Sequence, residues 1–419
     1  IIIHCSATKE GRNFTVADID RWHRELRRTE TGEYIDPMPY FKHLLKDSKA
    51  PVGSLIGIYP IQGKGVVNGS SHKKLLAIGN LKQPVHAWGE IYTGISAKDY
   101  MDGTSNFYGV HSVTLYVNSV QVFNSTTDKV LPDENRMING FTDYEELTRT
   151  RRLIMRSYKL PGNRLRLLHP NENRGAVTID EERDYHFRYV LEDNFGNRRT
   201  YQFIVKGKRQ DIPEYKPEAN EMLYWNRTNV IQKPGMELVV PRYYVYEDVP
   251  LRTDMRGDSS HIAFDYILDA GRTPIHSYCD LSIGLRHMPV ADTTKYYIVQ
   301  KAGKWRSSMG GKYASGWIKT RVRSLGTFSV DVDTIAPQIT PIGQGGWRTS
   351  RNIRFRIKDM ESGIGSYKVY IDGKFVLFGL KKGILVIQDP EKVKKGVSHK
   401  LEVTVTDQCG NMTRKEYKF

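Results

Sequence analysis

The sequence has few cysteines and no long apolar run. Its 419 residues include only Cys5, Cys279 and Cys409, and this odd, widely spaced set argues against a disulfide-rich scaffold or a zinc knuckle. No stretch reaches the roughly 18 consecutive apolar residues that a membrane-spanning helix requires, so we predict no membrane span. The chain begins with Ile1 and carries no leader pattern, so we expect it to be part of a longer protein.

Basic residues outnumber acidic ones. Lys and Arg total 63 against 47 Asp and Glu, which gives a net charge of +16 at pH 7 and favours polyanionic partners. The densest basic run consists of Arg149, Arg151, Arg152 and Arg156. It follows Glu145 and Glu146 at helical spacing, which is typical of a solvated helix with i,i+4 ion pairs. No nucleic-acid recognition motif accompanies the charge, so we predict no nucleic-acid partner.

The first 28 residues have a pattern of their own. Ile1 to Cys5 form a continuous apolar run, typical of a strand that is buried on both faces. A repeat of i, i+3, i+4 and i+7 follows, which predicts an amphipathic helix. Its members are Ile19, Trp22, His23 and Leu26. Residues 1–28 are therefore predicted to form a strand–loop–helix fragment that is too short to bury a core of its own.

From residue 50 onward the pattern is that of strands. Short runs rich in Val, Ile, Tyr and Phe alternate with Gly, Asn, Asp and Pro. The predicted strands include Ser112–Val117, His186–Leu191, Tyr243–Tyr246, Tyr296–Val299, Ile353–Ile357 and Leu401–Val405. One helix is predicted near Asp143–Met155. We predict a mainly β fold of tandem immunoglobulin-like β-sandwich domains, preceded by the short α/β fragment.

Four sequence blocks recur in the same order, which indicates an internal repeat. The paired blocks begin at Asp47 and Asp333, at Lys98 and Lys358, at Tyr116 and Tyr370, and at Asp193 and Asp407. We infer two copies of one sandwich type at residues 50–207 and 334–419. Residues 29–49 and 208–219 are predicted linkers, and residues 220–330 are predicted to form a β-rich domain of unknown type.

Several aspartates beside Gly and Asn allow two interpretations. They are Asp99, Asp102, Asp193, Asp359 and Asp407. Carboxylates in such loops are calcium ligands in some proteins, but Asp, Asn and Gly also favour turns without any metal. The turn interpretation is preferred, because Asp-x-x-Gly-Asn supplies residues that tolerate positive φ before a last strand.

The N-terminal fragment resembles the start of a zinc-dependent N-acetylmuramoyl-L-alanine amidase. The resemblance rests on IIIHCSAT (residues 1–8) and TVADIDRWHRE (residues 15–25). It implies that His4, at the end of the first strand, binds zinc, and that Trp22 and His23 are mainly structural. No continuation of the amidase pattern, with its further ligands, follows Glu25. A catalytic zinc normally has three protein ligands and a water.

A second resemblance covers residues 27–419. RRTETGEYIDPMPYF (residues 27–41) resembles the segment that closes the catalytic domain of lysostaphin-type (LytM-like) murein metalloendopeptidases. Residues 42–419 resemble the β-rich tail of such enzymes. This resemblance implies that residues 29–49 are the end of a catalytic domain, and it allows His23 to occupy a zinc-ligand position. Arg21 stands where that family has the preceding His.

The resemblances imply a peptidoglycan hydrolase. The activity would be zinc-dependent cleavage of amide bonds by an incomplete catalytic domain, with His4 and His23 as the metal ligands. The expected partner is peptidoglycan or another anionic cell-wall polymer, in the periplasm or outside a bacterial cell. The alternative is a non-catalytic module that binds the wall or positions another domain, with its basic surface supplying the affinity.

Overall fold

The computed structural model describes residues 34–36, 38, 42–258 and 260–419. Strands make up 49% of the structure and helices 9%, which confirms the predicted mainly β, sandwich-rich fold. The predicted α/β fragment at residues 1–28 lies outside the described residues. In the described part of the chain, no helix is long and apolar enough to cross a membrane.

The first domain is built on one curled sheet of eleven strands. The strands of this region are β1 (Tyr34–Ile35), β2 (Val52–Val67), β3 (Lys74–Ala77), β4 (Val85–Tyr100), β5 (Phe107–Tyr108), β6 (Ser112–Val117), β7 (Val120–Thr126), β8 (Lys129–Val130), β9 (Met155–Arg156), β10 (Leu168–Pro170), β11 (Val177–Ile179), β12 (Asp184–Glu192) and β13 (Arg198–Gly207). The sheet order is β10-β7-β6-β12-β13-β4-β2-β3, and β5, β9 and β11 also pair with β4. Register shifts at Gly53/Leu55 and Pro60/Gly65 interrupt the β2–β4 pairing. Such bulges bend a strand, so the two long strands can wrap around a single core.

The predicted linker at residues 29–49 is partly attached to this domain. Its strand β1 pairs antiparallel with β8, and the Asp36 amide donates to the Asp128 carbonyl at 2.8 Å. Residues 34–36 are therefore held against the first domain, so this stretch is not a free linker.

Two short helices lie between β8 and β9. They are α1 (Ile138–Phe141) and α2 (Tyr144–Thr150). Asp143 caps α2 by accepting a hydrogen bond from the Glu146 amide, which agrees with the predicted helix start. The helix ends earlier than predicted, because Arg151 adopts a left-handed conformation with φ of 64° and Met155 pairs with β4.

The second domain is a sandwich of two sheets. Its strands are β14 (Glu221–Leu223), β15 (Asn229–Lys233), β16 (Met236–Val240), β17 (Val249–Arg256), β18 (Asp265–Asp269), β19 (Cys279–Gly284), β20 (Tyr296–Ala302), β21 (Trp305–Ser308), β22 (Lys312–Ala314), β23 (Trp317–Val322) and β24 (Gly326–Val332). Their orders are β14-β17-β18-β24-β20-β21 and β15-β16-β19-β23-β22. The core contains apolar residues from both sheets, such as Leu238, Leu268 and Phe328.

The third domain is a smaller sandwich of two four-stranded sheets. Its elements are β25 (Gln338–Ile342), α3 (Trp347–Ser350), β26 (Arg354–Lys358), β27 (Ile364–Ile371), β28 (Lys374–Phe375), β29 (Phe378–Lys381), β30 (Ile384–Ile387), β31 (Lys400–Asp407) and β32 (Met412–Lys418). The sheet orders are β25-β26-β30-β29 and β28-β27-β31-β32. Trp347 is fully buried in the core and packs against Phe355 with ring centroids 5.0 Å apart.

The two repeat copies share their strand pairing. Antiparallel β2–β4 in the first domain corresponds to β25–β26 in the third, and β7-β6-β12-β13 corresponds to β28-β27-β31-β32. The matching hairpin turns also agree. Asp372 and Gly373 have φ of 50° and 77°, and Asn118 and Ser119 have φ of 47° and 70°. Positive φ at both central residues is the type I′ conformation, which an Asp-Gly sequence such as Asp372-Gly373 favours.

A tyrosine joins the first and second domains. Tyr246 was predicted to lie in a strand, but residues 243–246 form turns, and the Tyr246 side chain packs into the core of the first domain. Its hydroxyl donates to the Arg136 carbonyl at 2.9 Å. Gly140 leaves room for the ring, since a Cβ there would lie 2.7 Å from a ring carbon of Tyr246.

The second and third domains also touch. Tyr297 and Val299 form a small buried cluster with Cys409, and the Lys295 ammonium donates to the Cys409 carbonyl at 3.1 Å. The Asp333 amide, at the junction itself, donates to the Lys295 carbonyl at 2.9 Å. The start of the third domain is therefore hydrogen-bonded to its neighbour.

Candidate metal centres and a basic sheet face

Two groups of aspartates converge in the described part of the chain. The first triad is Asp47, Asp99 and Asp193, and the second triad is Asp333, Asp359 and Asp407. Within each triad, one carboxylate oxygen per residue lies within 4.8 Å of the others. The predicted zinc ligands His4 and His23 lie outside the described residues, so zinc binding there stays a prediction.

Strand pairing explains how the first triad assembles. Val52 pairs with Lys98, so the segment just before β2, which carries Asp47, lies beside the end of β4, which carries Asp99. Asp193 follows β12 directly and forms the turn into β13. The side-chain amide of Asn197 donates to Asp193 Oδ2 at 2.8 Å and to the Asp47 carbonyl at 3.2 Å. These two hydrogen bonds hold the turn between β12 and β13 against the segment before β2.

The first triad holds negative charge that no nearby cation neutralises. Asp99 is only 8% exposed, and burial together with repulsion from Asp193 and Asp47 raises its pKa to about 7. Burial also raises the pKa of Asp47, and repulsion from Asp193 and Asp102 adds to the effect. Among the described residues, Lys49 approaches Asp102 at 3.9 Å, but no Lys or Arg forms an ion pair with a triad member.

Hydrogen bonds leave part of the first triad unsatisfied. Asp193 Oδ1 accepts from the amides of Phe195 and Asn197, both at 2.8 Å. Among the described residues, by contrast, Asp99 accepts one hydrogen bond, from the Tyr100 amide at 3.0 Å. Asp47 Oδ2 is inaccessible to solvent and has no hydrogen-bond partner. A buried carboxylate oxygen without a donor or cation is costly.

The second triad has the same layout but more donors. Asn411 repeats the role of Asn197, since its side-chain amide donates to Asp407 Oδ2 at 2.8 Å and to the Asp333 carbonyl at 3.0 Å. Asp333 Oδ2 accepts from the Ser362 amide at 3.0 Å. Every second-triad carboxylate accepts at least two hydrogen bonds. Burial still raises the pKa of Asp407.

The sequence identified most of these residues but not their grouping. Of the five aspartates singled out, the structure places all in a triad except Asp102, whose Oδ2 instead accepts from the Ser48 amide and hydroxyl at 3.1 and 2.9 Å. Asp47 and Asp333 were missed as candidate ligands. The signal was present, because both begin the repeated Asp-x-x-Ala-Pro block. Turn formation also occurs as predicted, so the two interpretations are compatible.

A basic face lies on one sheet of the third domain. Strand β26 alternates, with Phe355 and Ile357 buried and the basic residues exposed. We define the basic sheet face as Arg354, Arg356, Lys358 and Lys381. Lys381 joins this face because it pairs with Ile384, which in turn pairs with Arg356.

No carboxylate offsets this charge within the sheet. The residues opposite β26 on the same face are Gln338, Thr340, Ile342, Ile384 and Val386. In the described part of the chain, none of the four basic side chains forms an ion pair, whereas several exposed cations elsewhere do, such as Lys400 with Glu416 at 3.0 Å. Alternate residues of a strand are about 7 Å apart, so Arg354, Arg356 and Lys358 form a regular row of cations.

The two described cysteines are unsuited to nucleophilic catalysis. Burial raises the pKa of the Cys279 thiol to about 12 and that of the Cys409 thiol to about 11. Both thiols are therefore protonated at neutral pH, and the thiolate is the reactive form.

Comparisons with known proteins identify one region. Residues 220–333 match the family model of the Zu5-like domain, which corresponds to the second domain. No curated protein matches the chain. Among solved structures, it is similar to a Ca²⁺-stabilised, ice-binding adhesin of an Antarctic bacterium, at 11% identity, with 86% of this chain and 98% of that chain covered and a TM-score of 0.15.

Two further solved structures are similar at the same level. A 1.5-MDa bacterial ice-binding adhesin is 8% identical, with 79% of this chain and 89% of that chain covered and a TM-score of 0.14. A mixed-linkage glucan-binding protein of Bacteroides ovatus is 10% identical, with 78% and 62% covered and a TM-score of 0.12. TM-scores this low carry no argument about how this chain works.

The expected hydrolase, metallopeptidase and amidase activities are wrong for this chain. The family model that matches, at residues 220–333, describes a Zu5-like domain rather than a hydrolase, metallopeptidase or amidase. In the described residues, both groups that could hold a metal consist of aspartate alone, whereas catalytic zinc sites usually include His or Cys ligands. The two family resemblances seen in the sequence stay predictions.

Proposed function

We propose that this chain is a non-catalytic binding module for an acidic polymer of the bacterial cell envelope. The observation that carries the proposal is the basic sheet face of the third domain. Four exposed cations share this face with no acidic neighbour in the sheet. A rigid strand holds three of them in a row, so a polymer with repeated carboxylates or phosphates can meet several cations at once without ordering a loop.

The net charge supports the same partner class. An excess of 16 positive charges attracts a polyanion over long distances and raises its local concentration. Peptidoglycan, whose peptides carry carboxylates, and other anionic wall polymers fit this chemistry. The proposal places the chain in the periplasm or on the cell surface.

Co-sedimentation with purified peptidoglycan tests the proposal. The full chain is compared with a variant that carries Arg354→Gln, Arg356→Gln and Lys358→Gln. Because removal of three adjacent unpaired cations removes most of the local attraction, we expect affinity to fall about tenfold or more, and added salt to weaken wild-type binding.

A matched control removes the same charge elsewhere. It carries Arg252→Gln, Lys392→Gln and Lys400→Gln, three exposed residues that already have acidic partners at 2.8, 2.7 and 3.0 Å. We expect it to bind almost as well as the wild type. Equal loss in both variants, salt-insensitive binding, or equally tight binding of single-stranded RNA would each reject a specific wall-polymer face.

A further inference from the structure

We infer that the first triad is a binding site for a divalent cation of the calcium type. The inference is independent of polymer binding. It rests on three carboxylates whose oxygens converge, and on a buried oxygen, Asp47 Oδ2, that the described residues leave without a donor. Asp47 Oδ2 is inaccessible and unpartnered. Asp99 is only 8% exposed, and the Tyr100 amide, at 3.0 Å, is its one hydrogen-bond donor among the described residues.

The spacing of the oxygens suits a calcium ion. Calcium–oxygen distances are about 2.3–2.6 Å, so two ligands on opposite sides of one ion lie up to about 5 Å apart. The triad oxygens lie within 4.8 Å of one another. Magnesium requires strict octahedral geometry, keeps several of its waters and is usually bound by one or two carboxylates, so a group of three carboxylates suits calcium better.

The ligand chemistry points to the same class of ion. All three side chains are carboxylates, which suit hard cations, whereas zinc sites use His and Cys. Asp102 places a fourth carboxylate nearby and raises the pKa of Asp47 further. A divalent cation would neutralise this charge and supply the partner that Asp47 Oδ2 lacks.

Comparison with the second triad shows why the first is the stronger site. At the equivalent loop position, the Ser362 amide donates to Asp333 Oδ2 at 3.0 Å. The Asp102 amide favours the ionised form of Asp47 and so lowers its pKa, but it makes no hydrogen bond to Asp47 Oδ2. The second triad thus supplies a donor to Asp333 Oδ2, whereas the equivalent Asp47 Oδ2 of the first triad has none. A bound cation would therefore stabilise the first triad more than the second.

Binding would lock three segments together. The triad joins the segment before β2, the end of β4 and the turn between β12 and β13. Because Asp47 belongs to the segment through which the chain enters the domain, the ion would fix that segment against the sheet. We therefore expect slower hydrogen exchange at residues 45–50 when calcium is present.

Isothermal titration of the full chain with CaCl2, after EDTA treatment and dialysis, tests the inference. We expect the tightest event to be one calcium per chain. Asp99→Asn should weaken that event at least about tenfold, whereas Asp359→Asn, the matched change in the second triad, should leave it intact. Terbium luminescence, sensitised by Tyr100 beside Asp99, reports on the same site by a second route.

Several results would overturn the inference. One is the absence of any heat of calcium binding, and of any change in hydrogen exchange at residues 45–50, up to about 5 mM CaCl2. This concentration exceeds the dissociation constants of even the weakest extracellular calcium-binding modules. Others are unchanged binding in Asp99→Asn, equal loss in Asp359→Asn, and magnesium binding as tightly as calcium. None of these readouts involves a wall polymer, so failure here leaves the proposed function separately testable.

Discussion

Replacing Asp99 by Asn should stabilise the first domain when calcium is removed. Folding raises the pKa of Asp99 from 3.8 to about 7, so the folded domain disfavours the ionised carboxylate. Since each pKa unit corresponds to about 1.4 kcal/mol, ionised Asp99 costs the calcium-free domain about 4 kcal/mol at most. Asp47 and Asp193 share this repulsion, which makes the figure an upper limit.

The sign of the pH dependence follows from the same shift. A carboxyl group with a raised folded pKa binds its proton more tightly in the folded state. Its unfavourable contribution is therefore absent below about pH 4, grows as the pH rises from about 4 to about 7, and stays constant above that. Asn at position 99 cannot ionise, so the gain in stability should be present at about pH 8 and small at about pH 4.

Hydrogen exchange of the β4 amides, followed by mass spectrometry in EDTA, measures this stability within the whole chain. The control is Asp133→Asn, an exposed aspartate of the same domain, which should change little. Calcium should stabilise the wild type at about pH 8 and leave Asp99→Asn unchanged. A variant that is less stable than the wild type in EDTA, or a gain equal at both pH values, would refute the repulsion on which the argument rests.

Three further outcomes follow from other parts of the molecule. Tyr246→Ala should destabilise the first domain by about 3–5 kcal/mol, although Tyr246 belongs to the second domain. Tyr246→Phe should cost only about 1 kcal/mol, because it loses only the hydrogen bond. Hydrogen exchange of first-domain amides measures both losses of stability. Burial alone would lower the pKa of His399, but hydrogen bonds to Asp372 and to a backbone carbonyl raise it overall. Third-domain stability should therefore fall as the pH rises from 6.5 through this raised pKa, and thermal unfolding of Asp372→Asn should lose that dependence. In a Cys5→Ser background, a thiol reagent should label the chain only after denaturant is added, and rapid labelling of the native protein would contradict the buried placement of Cys279 and Cys409.

Alternating patterns allowed the strands to be predicted where one face is buried. Ser112–Val117 coincides with β6, and Leu401–Val405 lies within β31. The prediction was wrong at residues 243–246, where the aromatic residues are used for contact between domains rather than for a sheet. The helix at Asp143 begins as predicted, but distant pairing with β4 takes Met155 into a strand. Local patterns cannot reveal such long-range pairings.

The candidate sites, like the fold, could be predicted where local sequence patterns decide the outcome, but not where long-range strand pairing decides it. Turn chemistry drew attention to Asp99, Asp193, Asp359 and Asp407, because each is followed by Gly or Asn within four residues. Their grouping depends on which strands pair, and no local pattern encodes that. The basic sheet face is also partly visible, because the alternation in β26 is local, but the absence of acidic neighbours depends on the strands on either side.

The contact that Tyr246 of the second domain makes with the core of the first has a consequence for dividing this protein into fragments. Residues 208–219 contain no strand, so a cut there is the obvious way to separate the first domain from the second. A fragment ending there would lose Tyr246, which would leave a cavity beside Gly140 and expose core residues that are buried in the whole chain. If a protease cleaves the same segment, the two fragments should still co-elute, because the buried Tyr246 ring and its hydrogen bond hold them together after the peptide bond is cut.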